Sequence, residues 1–358
     1  MSDLRDLARR PAPWLVEEGA AEDEVVLSSR VRLARNVTGW RFPHAVEADE
    51  LCRLREEVVE AVRDASPGAC ERILPMEDLE ETERRFLLER HLISADLVRF
   101  VLGRGLVVSE DESLGLMLNE EDHVRLQVFS AGLSVEAALE RASTEMRSIS
   151  ERVAFARDDD LGFLTACPTN VGTGMRASIL VHLPALVITG DAEPVLNGLR
   201  RLNYTVRGFY GEGSGVMGSL FQVSNSATLG REESAIVEEL LVHVRKVIEC
   251  EREARSALVE RDRIRTEDRV WRAWGLLTRA RLLTTREAFE LLSDLRLGSS
   301  LGLLPRVPTS VSNHLLLCVQ SAHLQVGAGQ ALQAPERDEA RARFVREQLD
   351  RAEERNDE

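Results

Sequence analysis

Lysine is almost missing from this chain of 358 residues: of 46 basic residues only Lys246 is lysine, and the other 45 are arginine. With an arginine at about every eighth position, a single one in a motif carries little information. Only arginines that converge from distant segments do. An excess of positive charge is missing too. The formal net charge of -15 excludes nonspecific nucleic-acid binding, whose affinity comes from clustered cations neutralising phosphates, so no nucleic-acid partner is expected and any anion site must be local. No apolar run is long enough to span a membrane, and the opening MSDLRDLARRPAPW lacks the apolar core of a secretory signal. The expected setting is the cytoplasm, with no membrane partner. Five cysteines (Cys52, Cys70, Cys167, Cys250, Cys318) are odd in number, scattered and without C-x-x-C spacing. That argues against a disulfide framework and a zinc site, so reduced thiols and no protein-held metal are expected.

What is present is 44% hydrophobic residues in a length that allows two domains. Residues 1–22 read as a short polar lead-in. In residues 23–254, LREEVVEAVRD and ETERRFLLERHL have helical spacing, LGLMLN and HVRLQVF alternate as strands, and NYTVRGFYGEGSGVMGSLFQVSNS reads as two strands around a glycine-rich loop. Residues 255–358 read as helical. Thr284 and Glu287 spell a capping box, Gly298 suits a C-terminal cap, and SNHLLLCVQSAHLQ and PERDEARARFVREQLDRAEE have helical spacing. The expected fold is α+β: an antiparallel sheet flanked by helices, then an all-helical C-terminal domain.

Residues 164–178, LTACPTNVGTGMRAS, spell G-x-G-x-x-A at Gly172, Gly174 and Ala177. A dinucleotide fingerprint needs a helix next and an acidic ribose partner about 20 residues on. The β-branched ASILVHLPALVIT that follows disagrees, so the stretch must take its meaning from other segments. SSRVR puts Arg30 and Arg32 on one face of an extended segment. NEEDHVRLQ is an acidic turn leading into a strand on which Arg125 and Gln127 oppose Val124, Leu126 and Val128. RGFYGE sets Arg207 and Glu212 around a glycine turn, and His91 stands alone at the end of a helical pattern.

SSRVR, NEEDH-x-R and CPTN-x-GTG-x-R, in that order and spacing, resemble the signature segments of the ATP:guanidino phosphotransferases, or phosphagen kinases. The resemblance implies ATP and Mg²⁺ as cosubstrates. It puts Arg30, Arg32, Arg125, Arg176 and Arg207 around the phosphates and His91 near the adenine. The implied nucleotide site also includes Ser28, Ser29, Val31, Ala177, Ser178, Ile179, Leu180, Gly208, Phe209, Tyr210, Gly211 and Glu212. Glu121 and Glu212 match the carboxylates that hold and deprotonate the guanidinium, and Cys167 matches the cysteine that orients it.

Arginine forks, planar and permanently charged, suit a phosphoryl group in flight, which needs positioning and charge neutralisation more than covalent help. A guanidinium gives up its proton only as the N–P bond forms, so alignment of the base matters at least as much as its strength.

SSRVR begins at residue 28, where phosphagen kinases carry about a hundred residues of helical lid before it, and helices follow the catalytic half instead. That layout and the wording of the motifs resemble the bacterial protein-arginine kinase branch. The resemblance implies arginine in a polypeptide as acceptor, ahead of a small guanidino compound or a nonenzymatic ATP- or phosphoarginine-binding adaptor. In that branch R-D-x-x-R-A binds phosphoarginine as a regulator, which marks Arg337, Asp338 and Arg341. It further implies a homodimer, a small activator protein, stress-linked protein quality control, and delivery of marked proteins to a Clp-type protease.

Overall fold

A computed structural model describes residues 2–17, 19–69, 71–209, 217–305 and 307–356, so the expectations for Tyr210, Gly211 and Glu212 lie outside the described residues. The chain opens with α1 (Ser2–Arg9), α2 (Pro13–Val16), β1 (Val26–Arg35), α3 (Ala48–Ala65), β2 (Arg72–Pro75), α4 (Glu81–Glu89) and α5 (Ala95–Arg99). Then come β3 (Gly105–Val108), β4 (Leu114–Leu118), β5 (Val124–Ala131), α6 (Val135–Ser150), β6 (Arg157–Asp158), β7 (Gly162–Phe163) and β8 (Met175–His182). After α7 (Pro184–Thr189), α8 (Ala192–Arg201), β9 (Tyr204–Gly208) and β10 (Leu220–Asn225) the chain is helical: α9 (Glu233–Arg279), α10 (Thr285–Ser300), α11 (Thr309–Cys318), α12 (Ser321–Ala328) and α13 (Ala334–Asn356). No helix among the described residues is long and apolar enough to cross a membrane.

Eight strands form one antiparallel sheet in the order β2-β3-β4-β5-β1-β8-β10-β9, with β1 at its middle. The strand period of two sorts its residues. Val31, Leu33, Val124, Leu126, Val128, Ala177, Ile179 and Val223 face a core made with α3, α6 and the first half of α9, where Ile236, Leu240, Val244 and Val247 are buried. Each such Val, Leu or Ile side chain contributes about 1.5–3 kcal/mol on burial, so the register is strongly held. A one-residue slip of β1 would turn Arg30 and Arg32 into this core.

A second core joins the helical region to the sheet. It contains Leu27, Phe129, Leu180 and Leu220 from the strands with Phe289, Leu292, Leu295 and Leu315 from the helices. Residues 1–22 are not a loose lead-in: Leu4 and Leu7 are buried with Met76, Phe86 and Val326, and Trp14 and Leu15 belong to the second core. Their partners lie up to three hundred residues away, beyond the reach of local pattern.

Three helical expectations also change. Gly298 lies inside α10, where an added Cβ would meet Leu304 and Val270 at 2.6 and 2.8 Å, so it serves close packing and not a cap. SNHLLLCVQSAHLQ is two helices, broken at Val319 and Gln320. The expected boundary at residues 254 and 255 falls within α9, which leaves helical geometry at Asp262 (φ -154, ψ 75).

Candidate active site

The sheet face opposite the first core carries the chemistry. In the antiparallel registers Arg32 pairs with Arg176 on one side and Gln127 on the other, Arg30 pairs with Ser178 and Phe129, and Arg207 pairs with Gln222. Because paired residues share a face and side chains alternate, Arg30, Arg32, Arg125, Arg176 and Arg207 all project to one side. With His91, Glu120, Glu121 and Cys167 they line a cavity of about 640 Å³.

The guanidinia perturb one another. Burial, then Arg176 and Arg125, lowers Arg30 to about 10. Arg32 is held well below the usual arginine value by burial and by Arg30, Arg125 and Arg176, with Glu120 opposing. Gathering desolvated like charges costs folding energy, and a polyanion on this face would recover it. Arg30 and Arg176 lean on hydroxyls, Nε to Ser178 Oγ at 3.4 Å and Nε to Ser224 Oγ at 3.3 Å, which fix their direction without neutralising them.

One end of the cavity is acidic. Arg125 forks between Glu120 (2.6 Å) and Glu121 (2.8 Å). Burial alone would raise the Glu120 carboxyl, but Arg125, Ser94 and the Glu121 amide override it and the net shift is downward. Glu121 is different. Its side chain is 40% exposed, and burial, aided by Asp122 and Glu120, raises its carboxyl despite Arg125. A raised, accessible carboxylate beside a cation cluster is suited to receive a proton.

Buried Asp122 ties this turn to the cysteine loop: its Oδ1 accepts from Asn36 Nδ2 at 2.6 Å and from the Ala166 amide at 2.7 Å, one residue before Cys167. Cys167 Sγ lies 3.0 Å from Thr169 Oγ1, and Thr228 Oγ1 donates to the carbonyls of Thr169 and Val171. Asp122 belongs to the acidic turn of NEEDH, whereas Asn36 and Thr228 were not singled out from the sequence, their only signal being polarity near the motifs.

Gly172 and Gly174 sit at φ +111 and +63, where an added Cβ would meet the carbonyl oxygens of Thr228 and Ala34 at 2.6 Å each. They let backbones approach one another. Ala177 lies within β8, a strand where the fingerprint needs the first turn of a helix, so the stretch is not a dinucleotide fingerprint.

At the other end is an apolar slot lined by Trp14, His91, Phe129, Leu180 and Phe209 along with Ser28 and Ser178. Trp14 stacks on Phe129 at 4.4 Å and His91 meets Phe209 edge-on at 4.7 Å. His91 is not a helix-surface residue: it follows the end of α4 at φ +60, and burial, then Arg30, lowers it to about 3. Its ring is neutral at physiological pH.

Not every expected nucleotide contact presents its side chain to this face. The side chains of Ser29, Val31, Ala177 and Ile179 alternate away from the arginines, and Gly208 shares that side through its pairing with Phe221. Ser29 Oγ donates to the Gly132 carbonyl at 2.8 Å and accepts from the Ser134 amide at 3.0 Å, joining β1 to the start of α6.

Residues 53–254 match the family model described as ATP:guanido phosphotransferase, C-terminal catalytic domain. The chain belongs to this family. Residues 263–358 match the protein-arginine kinase McsB C-terminal domain, which places the chain in the protein-arginine kinase branch of the guanidino phosphotransferases. It is 42% identical over 357 residues to a protein-arginine kinase of Halalkalibacterium halodurans (99% of this chain, 100% of the relative) and 41% identical over 344 residues to one of Syntrophomonas wolfei (95% and 96%). Its fold is that of phosphagen kinases: lombricine kinase superposes with a TM-score of 0.59 at 25% identity (68% of this chain, 70% of that one). The duplicated taurocyamine kinase of Schistosoma mansoni with bound transition-state-analogue components gives 0.59 at 26% (67% and 35%).

The second expected site of this guanidino phosphotransferase has a structural occupation. Arg341 is buried; its Nε donates to the Val319 carbonyl, and its Nη1 donates to the Leu283 carbonyl and Asp338 Oδ1, all at 2.6 Å. Arg337, partly exposed, donates to the Leu332 carbonyl at 2.7 Å. Arg341 and Asp338 join α13 to the segment before α10, and Arg341 also joins it to the break between α11 and α12.

Proposed function

We propose that the arginine face binds the phosphates of MgATP, that the slot beside His91, Leu180 and Phe209 takes the adenine, and that the Glu121–Cys167 end receives an arginine side chain of a protein. The observation that carries this reading is the convergence of five arginines on one sheet face, with an apolar slot at one end and a raised carboxylate at the other. A guanidinium nitrogen attacks the γ-phosphorus, the N–P bond forms as the bond to the β–γ bridging oxygen breaks, and ADP leaves with that electron pair. The proton leaving nitrogen passes to Glu121. The arginines steady the charge spread over the phosphoryl oxygens, and Cys167 orients the guanidinium. Glu212 joins as a second carboxylate on the strength of the resemblance, its position lying outside the described residues. Mg²⁺ enters on the phosphate oxygens of ATP as part of the substrate.

At the level of biology, the modified proteins are marked for degradation by a Clp-type protease in the cytoplasm, with a homodimer, a small activator and phosphoarginine binding at Arg337, Asp338 and Arg341 as further parts of this reading. Free thiols at Cys52, Cys167, Cys250 and Cys318 are in keeping with a reducing compartment. For Arg341 to hold a phosphoryl group it would exchange its backbone carbonyls for phosphoryl oxygens, which makes phosphoarginine binding a rearrangement of α13.

The test is to incubate the purified protein with labelled ATP and an arginine-rich protein and to map the product by mass spectrometry. Acid-labile phosphate on arginine is the expected result, and label confined to serine, threonine or tyrosine would overturn the reading.

A further inference from the structure

His91 is the hinge between the proposed base slot and the rest of the molecule, and what holds it comes from two directions. From the sheet, Gln127, the register partner of Arg32, donates to the carbonyls of His91 (3.2 Å) and Leu92 (2.8 Å). From the C-terminal helices, Glu89 acts as a cap that α12 does not supply for itself: its two carboxylate oxygens accept from the amides of Ala322 (2.9 Å) and His323 (2.8 Å), while Gln320 donates back to the Glu89 carbonyl (3.3 Å). Between them Arg90, fully buried, makes a two-pronged pair with Glu112 at 2.6 Å per prong and lies 3.1 Å from His323 Nε2. The next residue is His91 in the left-handed region, a conformation a non-glycine residue holds only where its surroundings impose it.

We infer that Glu89 and Arg90 are positioning residues for nucleotide binding, through which the C-terminal helices complete the adenine end of the kinase site. Glu89 clamps the turn to α12, Arg90 anchors it in the interior, and the turn can then present the His91 ring to Phe209. Neither side chain touches the proposed nucleotide. The C-terminal domain thereby contributes to affinity for the base and not to the phosphates or the acceptor, which are served by the sheet. This rests on the reading that the slot beside His91 takes adenine.

The experiment compares ATP with inorganic tripolyphosphate, which carries the phosphates and lacks the base, by calorimetric titration of the full chain. Glu89→Ala removes the acceptor for both α12 amides; Glu89→Gln keeps one acceptor oxygen and is the partial rescue. Gln320→Met removes the reciprocal bond from the helical side and keeps volume, so it carries the test if Glu89→Ala does not fold. ATP affinity is expected to fall about tenfold in Glu89→Ala and a few-fold in Glu89→Gln and Gln320→Met. Tripolyphosphate affinity should stay within about twofold throughout, and in assays KM for ATP should rise while kcat at saturating ATP holds. Unchanged ATP affinity in the folded variants, or a parallel loss of tripolyphosphate binding, would overturn the inference. If the wild type itself bound ATP no better than tripolyphosphate, the placement of the base would fall first, and the inference with it.

Discussion

At the residue scale the decisive contrast is between Glu120 and Glu121, neighbours whose carboxyls move in opposite directions. Glu120 is buried and committed to Arg125; Glu121 is open to an incoming guanidinium. A base works in its ionised form, so activity rises as pH climbs through its pKa. The upward shift of Glu121 therefore predicts an acid limb of kcat/KM above the usual range of carboxylates. A profile flat to about pH 4.5, in the ordinary glutamate range, would exclude Glu121 as the group responsible. Arg341 supports a prediction about stability. Arg341→Ala strips the Val319 and Leu283 carbonyls of a buried charged donor, and the loss should be at least about 2 kcal/mol in denaturant titrations. Stability within about 0.5 kcal/mol, as for an ordinary surface substitution, would mean that its backbone bonds hold nothing together.

Among the elements, β1, β5 and β8 were legible because one face of each is nearly uniform. Val31 and Leu33 alternate with Arg30 and Arg32, Val124 to Val128 with Arg125 and Gln127, and Ala177 and Ile179 with Arg176 and Ser178, and the period of two puts the arginines on one side. The same rule turns every second side chain of SSRVR and RASIL to the core, which leaves those residues only their backbone to offer a ligand on the arginine face. His91 was marked as a pocket residue only by the resemblance and not by its local pattern, since its left-handed turn is held by Gln127 and by α12, neither of them near in sequence. The break between α11 and α12 was hidden for the same reason, its carbonyl and amides being satisfied by Arg341 and Glu89. The link between the NEEDH turn and the cysteine loop supplies a test. Asp122→Asn replaces a carboxylate that accepts from Asn36 and the Ala166 amide, so Glu121 and Cys167 lose their common anchor. It should lower kcat at least tenfold with nucleotide affinity nearly unchanged; weakened ATP binding with intact kcat would place Asp122 at the wrong end of the site.

For the whole molecule, a lysine-poor, acidic chain gathers five arginines on one sheet face, and helices from both termini close the end of that face beside His91. The Glu121 end of the cavity is open to solvent, its side chain being 40% exposed, which on the proposed reading admits an arginine side chain of a protein. Binding energy from the surrounding polypeptide can then hold the guanidinium in line, which free arginine lacks, so specificity constants should favour a protein acceptor by more than a hundredfold. Comparable constants for the two would favour a small-molecule guanidino kinase.

The most direct test of the central claim is one measurement pair on Glu121→Gln: ATP affinity by calorimetry, and formation of protein phosphoarginine by mass spectrometry. The substitution removes the proton acceptor and leaves the arginine face in place. Affinity should therefore remain within about threefold while turnover drops by at least about a thousandfold, because the lost interaction strengthens only as charge leaves the attacking nitrogen. Turnover within a few-fold of wild type would contradict the assignment of this end of the cavity to the guanidinium.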